Sequence, residues 1–227
     1  MAATRGDNRY HHGNLAAALV EAGLAATRTA GPAGLGIREV TRRVGVTPNA
    51  AYRHFADRQA LVAAVADAIR DRMADRMADD GPAPGSPAAA AVARLRAVGL
   101  GYIGFALDEP GWFSVAFFGE PDGADAGPPV RVAPPYLRLM EALDALVAAG
   151  ALAPERRDGA EWPCFAAVHG FAELALHGPL RTAPRADLDR LAARTVDAVV
   201  AGITGAMEPG AADWAPSASQ RKAGSRS

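Results

Sequence analysis

Along most of the chain apolar side chains recur at steps of three and four, the repeat of a helix with one face turned to a core, and no stretch alternates as a strand does. The longest stripe, Leu61, Val65, Ile69, Met73 and Met77, predicts one helix over residues 58–78. Ahead of it, Leu15, Leu19, Ala22 and Leu24 predict a helix running from an Asn14 cap to about Thr29 and closed by Gly31 and Pro32. Ile37, Val40 and Val44 predict a second, short one. Residues 79–87 read DDGPAPGSP, which cannot continue a helix and forms a linker. Further helices are expected over residues 87–107, 112–118, 135–149, 161–177 and 186–207. Residues 119–135 are rich in Gly, Pro and Asp, and the tail 208–227 is polar and predicted to be disordered. The expected fold is all-α with about nine helices. It divides into an N-terminal unit over 1–57, a connecting helix over 58–78 and a larger helical unit over 79–207.

The most informative stretch is residues 37–61, IREVTRRVGVTPNAAYRHFADRQAL. Gly45 suits the left-handed residue that closes a helix, and Val46 covers the junction. After a turn of about three residues, Thr47 offers a capping hydroxyl and Pro48 fits the first helical position. The new helix runs through Asn49 to Phe55, and Asp57 caps another at Arg58. Two short helices joined by such a turn make a helix-turn-helix, whose second member enters the DNA major groove. Asn49 has the chemistry to pair with adenine and Arg53 with guanine, while Ala50 and Ala51 let the helix approach the bases. Thr47, Tyr52, His54 and Arg58 suit phosphate. Pro48 and Arg38, the latter on the polar face of the first helix, complete the candidate DNA-facing set.

The run GVTPNAAYRHFADRQAL resembles the tetracycline-repressor (TetR) family of one-component transcriptional regulators. The resemblance is strong over residues 10–70 and weak beyond. It implies DNA-contact roles for Thr47, Asn49, Tyr52, His54 and Arg58, the last standing where the family usually has a phosphate-contacting lysine. It also implies a repressor that binds a palindromic operator as a homodimer and is released by a small-molecule effector. The family dimerises through its last two helices. Here those helices carry small residues that allow close approach, among them Ala166, Gly170, Ala175, Ala192, Ala201 and Gly202, and Val199 is expected in the same four-helix interface. Residues 168–178, VHGFAELALHG, resemble a subgroup with a His-Gly element in this helix.

Charge sharpens this division. The 227-residue chain carries a net −1, but residues 1–60 carry +4 and the remainder −5, as suits phosphate contact confined to one end. Arg5, Arg9, Tyr10, His11 and His12 form a basic arm; arms of this kind in the family lie along DNA, and the alternative for these residues is a solvated tail. Cys164 is the single cysteine, which excludes an intramolecular disulfide. No apolar run is expected to reach the length and purity of a membrane span, and no apolar leader precedes the first helix, so a cytoplasmic protein is expected.

A ligand pocket is expected around the helix interrupted by Gly99, Gly101 and Gly104, with Tyr102, Phe105, Trp112, Phe113, Phe117 and Phe118 as candidate walls. Met140, Phe165 and His169 join them. His169, Glu173 and His177 follow one helical face at about 40° per step but lack a fourth ligand, so no metal and no cofactor is expected. An enzyme is the competing class. Cys164 and His169 stand about 140° apart on a helix, and GxSxG, Walker, dinucleotide-binding and HExxH motifs are absent. A third class, a ligand-independent DNA-binding protein, would have no cavity in its C-terminal part.

Overall fold

The computed structural model describes residues 15–78, 85–118 and 133–205. Among the described residues there are nine α-helices and no strand: α1 (Leu15–Ala30), α2 (Ile37–Val44), α3 (Pro48–Ala51), α4 (Arg58–Arg76), α5 (Pro87–Asp108), α6 (Pro110–Phe118), α7 (Pro134–Ala148), α8 (Glu161–Leu176) and α9 (Arg185–Thr204). The Asn14 cap, the basic arm, most of the 79–87 linker, residues 119–132 and the tail lie outside the described residues.

The apolar stripe of α4 is its buried face. Leu61, Val65, Ile69, Met73 and Met77 are each at most 2% exposed. The Asp57 carboxylate starts that helix by accepting the Ala60 N–H at 2.8 Å, satisfying one of the amides that a first turn leaves without a partner. Ser86 does the same for α5, accepting from Ala89 N–H at 3.2 Å. α4 packs against α1 on one side and against α5, α6 and α7 on the other, so it spans both parts of the molecule.

α5 is the central helix, touching α4, α6, α7, α8 and α9. Its glycines leave it unbroken and serve separate ends. A Cβ on Gly101 would lie 2.8 Å from the Arg76 carbonyl oxygen and 2.9 Å from Met77 Cα, so this glycine lets α5 seat on the end of α4. A Cβ on Gly99 would press on Val196 at 3.1 Å, whereas one on Gly104 would meet nothing within 4 Å. The membrane expectation needs one correction: at 22 residues α5 is long and apolar enough to cross a bilayer. Its apolarity serves the protein interior instead, because Leu95, Val98, Tyr102, Ile103, Phe105 and Ala106 are all buried among its five neighbours.

Candidate nucleic-acid interface and ligand cavity

α2 lays Ile37 and Val40 into the core, and the Thr41 hydroxyl beside them is buried by donating to the Ile37 carbonyl at 2.8 Å. Gly45 closes the helix at φ 77°, and Val46 N–H reaches back to the Thr41 carbonyl at 3.0 Å. That closure aims the chain into α3. Thr47 has the extended backbone of a cap, but its side chain makes no capping bond: its carbonyl, accepting from Ala50 N–H at 3.0 Å, forms the turn instead. The hydroxyl therefore stays outside, among exposed residues.

α3 is shorter than its expected extent to Phe55. After Ala51 the backbone tightens, with His54 N–H donating to the Ala51 carbonyl at 2.9 Å, because Phe55 must swing into the core before Asp57 starts α4. Ala51 is fully buried against this core and so cannot meet a base, unlike half-buried Ala50. Thr47, Pro48, Asn49, Arg53 and His54 are exposed, and Tyr52 is 50% exposed, a large aromatic surface for a helix of this size. Arg38 is exposed on α2, while neighbouring Arg42 and Arg43 bond to Glu39 and hold that carboxyl below its usual range.

Arg58 ties the two parts of the reading unit together: its Nε donates to the Leu35 carbonyl, in the loop before α2, at 2.9 Å. The rest of its guanidinium retains donors for a phosphate. We expect Arg58→Met to reduce the slope of log affinity against log salt by about one unit. An unchanged slope would leave Arg58 with the Leu35 contact alone.

This unit meets the C-terminal part at Trp112 on α6. The indole N–H donates to the Leu24 carbonyl of α1 at 2.9 Å, and the guanidiniums of Arg28 and Arg72 each lie 5.2 Å from its ring centre. Arg28 in turn bonds to Glu109, and Arg72 to Glu21 at 2.8 Å. Cations over an indole face are attracted by its quadrupole, so the ring joins α1, α4 and α6.

Beyond this junction a cavity of about 210 Å³ opens among α4 to α9. Tyr102, Phe117 and Phe165 line it, as expected from the sequence. The other expected wall residues are displaced by packing. Phe113 is fully buried behind Tyr102, edge-on at 5.9 Å between centroids, and Phe105 stacks on Trp112 at the junction. Met140 turns to Arg157, whose guanidinium lies 3.5 Å from its sulfur. His169 stands one layer back with Nδ1 2.9 Å from the Tyr102 hydroxyl; burial holds the imidazole below its usual range, against the pull of Glu173. The Phe118 side chain lies outside the description.

Much of the wall went unforeseen, because it consists of aliphatic residues such as Leu95, Val98, Val168, Val196, Val199 and Val200. Val199, expected in the four-helix interface, lines the cavity and is half-buried. Arg70 of α4 was also missed. The signal for it is the row Val62, Ala66, Arg70 at four-residue spacing, the first two buried, which runs beside the main stripe.

Cys164 lines the cavity as a thiol that burial pushes up to about 11, so it is protonated and poorly nucleophilic near neutral pH. His177 pairs with Glu173 at 3.1 Å while His169 turns to Tyr102. No three His, Cys, Asp or Glu side chains among the described residues are placed to hold a metal.

On the outer face of α8, Trp162 and Leu174 are exposed at 42% and 47%, and Ala166 lies between them. On α9, Ala198, Ala201 and Gly202 are exposed, and Cβ atoms on Gly170 and Gly202 would meet nothing within 4 Å. Of the small residues expected in an interface, Ala175 and Ala192 are instead buried within the chain.

Two family models match: bacterial regulatory proteins, tetR family, over residues 19–65, and tetracyclin repressor-like, C-terminal domain, over residues 95–199. No curated protein matches the sequence. Among solved structures, a protein of unknown function from Rhodococcus sp. RHA1 is 26% identical with a TM-score of 0.64, covering 87% of this chain and all of that one. A TetR variant from Acinetobacter baumannii AYE, in complex with minocycline, is 19% identical (TM-score 0.57; 81% of this chain, 93% of that one). A TetR transcriptional regulator from Streptomyces coelicolor is 20% identical (TM-score 0.56; 84% and 98%). The last two likenesses concern the fold.

Proposed function

Because the chain belongs to the tetR family of bacterial regulatory proteins, we propose that it is a cytoplasmic repressor that binds a palindromic operator as a homodimer and leaves it when a small molecule fills the cavity. The observation that carries this reading is that one helix, α4, is anchored to the reading unit through Arg58 and also walls the cavity through Arg70 and its C-cap residue Met77. Two α3 helices of a dimer would have to reach successive major grooves, about 34–36 Å apart. A ligand that moves α4 spoils this separation, and a coupling of roughly 1–3 kcal/mol weakens operator binding about 5–150-fold. The cavity favours this reading over ligand-independent DNA binding. The buried thiol of Cys164 does not favour an enzyme.

Repression is tested by fusing the DNA upstream of the protein's own gene to a reporter. Reporter output should rise when the protein is absent and fall when it is supplied in trans; a fall in its absence would make it an activator. The dimer is assigned to the outer faces of α8 and α9. Ala198→Glu, on that exposed face, should halve the mass measured by light scattering while leaving helical content unchanged. An intact dimer would move the interface elsewhere.

A further inference from the structure

We infer that the molecule recognised in the cavity is an organic anion with an apolar body, its acid group held by the Arg70 guanidinium. This rests on the effector-site reading above and adds the chemical class of the effector. The volume of about 210 Å³ exceeds the ~150 Å³ of an engineered apolar cavity that takes up benzene, so a small hydrocarbon or aromatic body fits. Four polar side chains reach the wall: Arg70, Tyr102, Tyr136 and Cys164. Three have local roles or little charge to offer. The Tyr102 hydroxyl is bonded to His169, the Tyr136 hydroxyl donates to Glu161 at 3.4 Å, and Cys164 remains a neutral thiol.

Arg70 is the one charged side chain among the described residues that line the cavity. Its side chain is only 18% exposed, while its ion-pair partner Asp67 is 54% exposed and lies toward solvent, where water screens its charge. Glu161, behind Tyr136, faces Arg157 at 3.5 Å, which offsets part of its charge. Arg70 is thus the cationic group that the described wall offers a bound molecule. A guanidinium has five N–H donors; Asp67 takes one and the Ala116 carbonyl another, at 3.1 Å from Nη2. A carboxylate takes the others in charge-assisted bonds, which are about twice as strong as neutral ones. A neutral ligand forms no such bond between opposite charges, and a cation is repelled. The same guanidinium ties α4 to α6 through Ala116, so an acid group drawing on it acts directly on the helix that carries the reading unit.

The test uses the full-length protein and N-phenylnaphthylamine, an uncharged dye that fluoresces in apolar sites, displaced by decanoate or by decanol. Decanoate should compete about ten- to a hundredfold better than decanol. In Arg70→Met that preference should fall to about one, and Arg70→Lys should retain part of it. Equal competition in the unaltered protein would overturn the anion assignment without recourse to any variant. A preference that survives in Arg70→Met would overturn Arg70 as its holder. Failure of the dye to bind would instead remove the effector-site reading itself, and this inference with it.

Discussion

Gly111→Ala is expected to lower the unfolding free energy by at least ~1–3 kcal/mol, the usual cost of overpacking, while Gly104→Ala should raise it by up to about 1 kcal/mol. A Cβ on Gly111 would lie 2.3 Å from the Arg28 carbonyl oxygen and 2.4 Å from that of Thr27. Both are backbone atoms of α1, so no side-chain rotation relieves the clash and α6 must lift away. Lifting it stretches the bond from Trp112 to the Leu24 carbonyl and the pairing of Arg28 with Glu109, which begin within two residues of the clash. At Gly104 the added methyl meets nothing within 4 Å, so alanine acts only through helix propensity and the entropy of the unfolded chain. Urea unfolding followed by circular dichroism checks the pair. Coincident midpoints for Gly111→Ala and the unaltered protein would mean that α6 does not seat this closely on α1.

Arg53→Ala and Asn49→Ala should each cost about 1–3 kcal/mol of discrimination between the operator and a sequence altered at the contacted base. Both side chains are exposed and stand four residues apart, which puts them on one face of α3 and its final turn. With Ala51 buried beneath them, these two hold most of the hydrogen-bonding capacity for base edges on this helix. Competition binding with operator and single-site mutant DNA separates the possible roles. If a variant loses affinity equally for every sequence, its side chain contacts phosphate; if discrimination alone falls, it reads a base.

The helices were legible because their signals are local. The α4 stripe, the Asp57 cap and the left-handed Gly45 each follow from neighbours in sequence, and each recurs in the structure. Thr47 shows where local reasoning stops: a threonine before a helix suits a cap, but its carbonyl makes the turn and leaves the hydroxyl outside. The cavity was only partly legible, since aromatic residues attract attention by size whereas its wall depends on which helices cross. Phe113 and Phe105 went to core and junction, and valines took their place. Arg70 has only a weak local signal, the row with Val62 and Ala66; its bond to the Ala116 carbonyl of α6, 46 residues further on, cannot be read from that row. Val199 was expected in a dimer interface, and its place on the cavity wall follows only once α5 and α8 are laid beside α9.

The most direct test of the regulatory account is a fluorescence anisotropy titration of the full-length protein against DNA from upstream of its own gene, repeated across a range of salt. Saturation at two chains per site, with affinity falling steeply as salt rises, is the expected result. A folded dimer that binds no DNA even at low salt would contradict it.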